Sequence, residues 1–138
     1  MNEYKFENLK VGLCESFIYQ VTNEKLELFK QLTGDINPLH NNREFAVLHG
    51  QKDRVVYGMI TASLISTLGG VYLPGKYCLI QEVNTKFYRP VFVGDILNVS
   101  GIVDELNDTV KQCVIKVSIT NQDNIKVLKG KLVVGFTE

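Results

Sequence analysis

An acidic and an imidazole side chain stand five positions apart in the polar segment formed by residues 34–40, GDINPLH. Asp35 and His40 are of the types that most often move protons in enzymes, and the chain contains only two histidines. The same segment also suits an ordinary capping loop. Residue types alone therefore leave acid–base chemistry and a structural turn equally open.

Two predicted helices position this pair. Residues 22–32 have an apolar face at helical spacing and begin with Thr22, a favourable N-cap. Gly34 can adopt the left-handed conformation that ends a helix. Asn37 and Pro38 are typical of the cap and first position of a second helix. We therefore expect the acid just after one helix and the imidazole in the first turn of the next.

Composition favours one compact domain, residues 1–138, in a reducing cytoplasm. The formal net charge is zero, which gives no electrostatic reason to expect nucleic acid or an anionic membrane as a partner. No stretch is long and apolar enough to span a bilayer, and residues 1–10 lack the apolar core of a signal peptide. Three cysteines without metal-binding spacing, Cys14, Cys78 and Cys113, are interpreted as buried thiols.

Residues 58–73, GMITASLISTLGGVYL, carry no charged side chain. A helix without a polar face is expected to be buried on every side, and this one is too short to span a membrane. The pairs Gly69–Gly70 and Pro74–Gly75 predict where it ends.

Alternating apolar residues predict five strands, and four of them follow the apolar helix as an antiparallel meander. One sheet of about five strands must then curl around that helix, which is the α+β hot-dog arrangement. Its open edges favour side-by-side pairing of two copies into a homodimer, or assembly into a higher homo-oligomer. The predicted strands are 13–21, 79–88, 96–105, 113–119 and 128–136, with a turn-bearing crossover at 89–95.

Three segments together resemble the MaoC-like hydratases, a family of (R)-specific enoyl-CoA hydratases with a hot-dog fold. They are the segment 34–40, the run from Val56 through Ser66 at the start of the apolar helix, and residues 87–95, FYRPVFVGD. The resemblance runs from about residue 22 to the C-terminus. One departure is Tyr57, because the family usually has histidine before the Gly-Met pair.

The resemblance implies reversible addition of water to a trans-2-enoyl-CoA, with coenzyme A as part of the substrate and no further cofactor. Asp35 and His40 would hold one water and supply the base and the acid, or the reverse. The backbone N–H of Gly58 would stabilise the thioester oxygen at the start of the apolar helix.

Three further residues are predicted to contact substrate or shape its pocket. Asn37 would orient Asp35 or cap the second helix. Ser66 would line the pocket, or its hydroxyl would bond to its own helix. Tyr57 would alter packing at the pocket mouth and the preferred acyl group.

Other polar residues receive simpler interpretations. His49 is expected at the surface, and no third ligand accompanies it and His40, so no metal site is predicted. Lys52 and Arg54 could contact coenzyme A phosphates, although solvated charges are the preferred interpretation.

Two other functions fit the predicted fold. A hot-dog thioesterase would need a carboxylate on or beside the apolar helix, and residues 58–73 contain none. A non-catalytic acyl-CoA-binding subunit would have no need for both Asp35 and His40. The sequence does not determine acyl chain length, the physiological direction, or whether the carrier is coenzyme A or acyl carrier protein.

Overall fold

The computed structural model describes residues 1–137 and contains four α-helices and one five-stranded sheet within that range. The helices are α1 (Asn23–Thr33), α2 (Pro38–Asn41), α3 (Arg43–Leu48) and α4 (Gly58–Thr67), which continues into a π-helical turn, Leu68–Tyr72. The strands are β1 (Cys14–Gln20), β2 (Cys78–Phe87), β3 (Ile96–Asn107), β4 (Gln112–Thr120) and β5 (Lys126–Phe136).

The sheet is antiparallel throughout, with strand order β1-β3-β4-β5-β2. The prediction of a four-strand meander is therefore wrong in one respect: β2 pairs with β5 at the far edge, and only β3, β4 and β5 form a meander. Residues 88–95 carry the chain across the start of α4, where the Val56 N–H donates to the Val91 carbonyl at 2.8 Å. This crossover separates β2 from β3.

Helix α4 packs against the concave face of the sheet and supplies the centre of the core. Ile60, Leu64 and Ile65 are buried, as is Leu68 in the π-helical turn. The facing strand β5 buries Leu128, Leu132 and Val134, which belong to the apolar face predicted from the sequence. It also buries three residues that were not predicted on that face, Val127, Val133 and Gly135. The curved sheet around a helix confirms the predicted hot-dog fold.

Two details of α4 differ from the prediction. Met59, Ser63 and Ser66 form an exposed stripe, with Met59 62% exposed, because the sheet of one chain does not reach around the whole helix. The pair Gly69–Gly70 does not end the helix but lies inside the π-helical turn. A Cβ at Gly69 would come within 3.1 Å of Leu132 and 3.2 Å of Cys78, so glycine allows close packing there.

The helices on either side of the polar segment, α1 and α2, have the predicted capping residues. The Thr22 hydroxyl accepts a hydrogen bond from the Lys25 N–H at 3.4 Å and caps α1. Gly34 ends α1 at φ 74° and donates to the Lys30 carbonyl at 2.8 Å. The Asn37 side chain accepts from the Leu39 N–H at 2.9 Å and caps α2, with Pro38 as its first residue.

Across residues 1–137 no helix has the length and apolar character needed to cross a membrane. Cys14, Cys78 and Cys113 are free thiols, but the prediction that they are buried is wrong for Cys14, which is exposed at the start of β1. Burial raises the pKa of the Cys78 thiol to about 11. Burial also raises the pKa of the Cys113 thiol, to about 12, with a smaller contribution from the charge of Cys78.

Candidate active site

Two adjoining cavities open where α2, the start of α4 and the end of β2 meet. The smaller has a volume of about 180 Å³ and is lined by Asp35, His40 and Gly58 together with four aromatic or apolar residues, Phe29, Tyr57, Met59 and Phe87. The larger, of about 270 Å³, shares His40, Gly58 and Phe87 and is otherwise mostly apolar. The three residues predicted to be catalytic therefore line one cavity.

Asp35 is held by the turn in which it lies. Its Oδ1 accepts a hydrogen bond from the Asn37 N–H at 3.1 Å, and its own N–H donates to the Thr33 hydroxyl at 3.3 Å. The residue is otherwise exposed. The carboxylate is thus oriented by backbone while remaining accessible to water or substrate.

His40 has one ring nitrogen committed to the protein. Nδ1 lies 2.6 Å from the Val55 carbonyl oxygen. Because a carbonyl only accepts, Nδ1 must carry the proton that it donates. Nε2 is then the nitrogen left for substrate, as an acceptor in the neutral ring and as a donor in the imidazolium.

Gly58 is the first residue of α4, and its N–H donates to no other residue within positions 1–137. It is one of the unpaired donors that every helix N-terminus presents, where the helix dipole also favours negative charge. A Cβ at this position would lie 3.2 Å from the Phe87 ring. The absence of a side chain at Gly58 therefore lets the Phe87 ring, and a ligand in the cavity, come close to this backbone.

Asn37 makes hydrogen bonds that correspond to both predicted roles, the orientation of Asp35 and the cap of α2. Its side chain caps α2, whereas its backbone N–H holds the Asp35 carboxylate. No contact with substrate is defined by these bonds, and its substrate-binding role stays a prediction.

Ser66 lies on the exposed stripe of α4 and does not line either cavity of the single chain. Its predicted place in the pocket stays a prediction. The neighbouring Ser63 makes the kind of bond considered for Ser66, donating to the Ile60 carbonyl at 2.6 Å.

Tyr57 lines the smaller cavity but is only 2% exposed. Its hydroxyl donates to the main-chain carbonyl of Asp35 at 2.6 Å and accepts from the Asn41 amide at 3.0 Å. Its ring centroid lies 4.2 Å from that of His40. These contacts bring it against both members of the acid–imidazole pair.

Two features of this candidate site were missed from the sequence. The Val55 carbonyl fixes the His40 ring, and a main-chain acceptor leaves no signal in residue types. Phe87 forms a wall common to both cavities and is 49% exposed. Its place at the start of the segment 87–95 was the available signal.

The remaining polar residues lie as expected or apart from the site. His49 is exposed, and its ring stacks on Phe45 with centroids 4.1 Å apart. Arg54 donates to the Asn23 side chain at 2.8 Å, and the Lys52 ammonium lies 4.5 Å from the Phe92 ring centroid. Among residues 1–137 no three His, Cys, Asp or Glu side chains are grouped to hold a metal ion.

The hot-dog domain thus presents an acid, an imidazole and an unpaired helix N-terminal amide at one cavity. The family model described as "MaoC like domain" matches residues 15–126. The chain belongs to this family.

Named relatives agree with that assignment. The chain is 30% identical over 128 residues to an (R)-specific enoyl-CoA hydratase of Aeromonas caviae, covering 93% of this chain and 96% of that protein. It is 37% identical over 101 residues to a 3-hydroxybutyryl-CoA dehydratase of Methylorubrum extorquens, covering 73% of this chain and 64% of that longer protein.

The solved (R)-hydratase from A. caviae superposes with a TM-score of 0.89 at 30% identity, covering 94% of this chain and 98% of that one. An R-hydratase from Pseudomonas aeruginosa gives the same TM-score at 28% identity, covering 96% and 85%. The fold and the order of elements are therefore shared along nearly the whole chain.

Proposed function

We propose that this chain is a hydro-lyase that adds water reversibly to trans-2-enoyl-CoA and yields the (R)-3-hydroxyacyl-CoA. The observation that carries this proposal is the single cavity lined by Asp35, His40 and Gly58. Each supplies one requirement of the reaction: a proton acceptor, a proton donor and a site for negative charge.

In the proposed step, Asp35 accepts a proton from water while the water oxygen bonds to the β-carbon. The π electrons of the double bond move to the α-carbon and the thioester oxygen, where the Gly58 N–H donates to the developing charge. The imidazolium of His40 then donates its Nε2 proton to the α-carbon. Transfer of the proton from Asp35 to His40 restores the starting state, so protons and electrons balance.

The geometry of His40 suits this role because the Val55 carbonyl orients the ring through Nδ1. Nε2 is therefore the ring nitrogen left to exchange a proton with substrate, and the exchange needs no change of tautomer. General acid–base assistance of this kind contributes a factor of about 10²–10⁴.

Coenzyme A is the proposed thioester carrier, supported by the cations around the larger cavity. Arg89 and Tyr88 line it, and the ammonium groups of Lys86 and Lys126 lie 5.5 and 5.7 Å from the Tyr88 ring centroid. None of these three cations has an acidic partner within 4.0 Å among residues 1–137. Phosphates of coenzyme A would complement this charge.

We also propose a homodimer formed through β2, which pairs with β5 on one side and has a free edge on the other. This strand exposes Val83 and Phe87 by 48% and 49%, beside the exposed stripe of α4. A partner strand would satisfy the free backbone groups and cover the apolar side chains. The free thiols support the cytoplasm as the proposed compartment.

The decisive experiment follows crotonyl-CoA by loss of its enoyl-thioester absorbance while free thiol is measured in parallel. A hydratase consumes the absorbance without releasing thiol, and chiral analysis should give the (R) product. Release of thiol would support a thioesterase. Absence of both absorbance loss and thiol release would support a binding subunit. Either result contradicts the proposal.

Matched variants test the named residues. His40→Ala and Asp35→Asn should each lower kcat by about 10²-fold or more, since each removes a proton-transfer group. His49→Ala and Asp108→Asn change the same residue types at exposed positions away from the cavity and should keep wild-type rates. A folded Asp35→Asn variant with full activity would remove the basis of the mechanism.

A further inference from the structure

We infer that Tyr57 is a positioning residue that holds the acid, the imidazole and the oxyanion donor in one arrangement. It stands next to Gly58 in the chain, and its side chain contacts the other two proposed catalytic residues. The inference rests on the proposed function, because it concerns how that site is organised.

The first contact fixes the turn that carries the acid. The Tyr57 hydroxyl donates to the Asp35 main-chain carbonyl at 2.6 Å, across 22 positions of sequence. This turn otherwise depends on local bonds, because the Asp35 side chain and N–H bond only to residues two positions away. The tyrosine therefore provides a hydrogen bond between the start of α4 and the turn between α1 and α2.

The second contact supports the imidazole. The ring centroids of Tyr57 and His40 are 4.2 Å apart, with the planes inclined by 31°. Phe29 packs on Tyr57 with centroids 4.8 Å apart. With Nδ1 bound to the Val55 carbonyl, the imidazole is held by one hydrogen bond and one aromatic neighbour, which leaves little freedom for Nε2.

The hydroxyl itself is not available to substrate. It donates to the Asp35 carbonyl, and the Asn41 amide donates to it at 3.0 Å, while the residue is 2% exposed. Its hydrogen is thus committed to the protein. Tyr57 therefore acts through Asp35 and His40, and the residue should affect the catalytic step more than substrate binding.

Tyr57→Phe tests the inference by removing one oxygen and keeping the ring against His40. We expect kcat for crotonyl-CoA to fall about tenfold with KM changed less than about twofold, the loss that corresponds to one well-formed hydrogen bond. The matched control is Tyr4→Phe, which removes a hydroxyl that donates to Glu15 at 2.7 Å near β1, and it should retain the wild-type kcat.

A double-mutant cycle separates positioning from general stabilisation of the fold. If Tyr57 acts through Asp35, then Tyr57→Phe should change kcat less than about twofold when Asp35→Asn is already present. An equal loss in both backgrounds would overturn the inference. Where the Asp35→Asn rate is too low to measure, the single variant Tyr57→Phe decides. Its kcat should fall about tenfold while its KM changes less than about twofold, and any other result overturns the inference.

Asn41→Ala provides a second variant should Tyr57→Phe fail to fold. It keeps the tyrosine but removes the amide that donates to its hydroxyl and, at 2.9 Å, to the Asn37 carbonyl, and kcat should fall about threefold at unchanged KM. An unchanged kcat in the folded variants overturns the inference while leaving the hydratase function intact. A wild-type chain that does not hydrate crotonyl-CoA would instead overturn both.

Discussion

Gly58→Ala is the substitution that most directly tests the proposed oxyanion site. The added Cβ would lie 3.2, 3.4 and 3.6 Å from three atoms of the Phe87 ring. That ring is 49% exposed and can shift by the few tenths of an ångström required. Gly58 begins a helix at an ordinary negative φ, where alanine is as good or better by up to about 1 kcal/mol. The fold should therefore tolerate the methyl group.

The same methyl group should lower kcat strongly. The methyl group would stand beside the free N–H, in the space that both cavities share, and would keep the thioester oxygen from reaching hydrogen-bond distance. Loss of one donor of this kind costs about 2.7–4 kcal/mol in the transition state, which is about 10²–10³-fold in kcat. The measurement is kcat with crotonyl-CoA, combined with the thermal unfolding midpoint of the same preparation.

The chain provides a close control in Gly70→Ala. Gly70 lies in the π-helical turn that continues α4, and a Cβ there meets no atom within 4 Å. This variant should retain both stability and rate. If Gly58→Ala folds with a normal midpoint and keeps a rate within about threefold of wild type, then the amide contributes little and the electrostatic argument fails.

Three other predictions test the carrier, the assembly and the thiols. Arg89→Ala should raise KM for crotonyl-CoA about three- to fivefold, because an exposed ion pair contributes at most about 1 kcal/mol, and should leave KM for the phosphate-free N-acetylcysteamine thioester unchanged; equal effects on both would contradict the phosphate role. Val83→Lys places a charge on the free strand and should convert a dimer into monomers by light scattering, whereas Val110→Lys, in the β3–β4 turn, should not; an unchanged dimer would exclude this edge. Cysteine ordinarily ionises near pH 9.0, whereas burial raises the pKa of Cys78 to about 11 and of Cys113 to about 12. Above pH 9 the unfolded chain loses protons that the folded chain keeps, so the free energy of unfolding should fall, and denaturant unfolding should show a smaller fall in Cys113→Ala.

Much of the site could be predicted because its parts are local. The caps at Thr22 and Asn37, the left-handed Gly34 and the turn that holds Asp35 depend on bonds between residues at most four positions apart. The lack of charge in residues 58–73 indicated a core helix, and alternation located the five strands. Short-range bonds and periodic burial are encoded in neighbouring residue types, so the sequence is sufficient for them.

Other features required the tertiary structure. The place of β2 beside β5, the exposed stripe of α4 and the wall formed by Phe87 over Gly58 depend on how distant segments pack. The contacts that organise the site join residues 15 and 22 positions apart, from His40 to the Val55 carbonyl and from Tyr57 to the Asp35 carbonyl. Their acceptors are main-chain oxygens that every residue possesses, so only the path of the folded backbone decides which one is within reach.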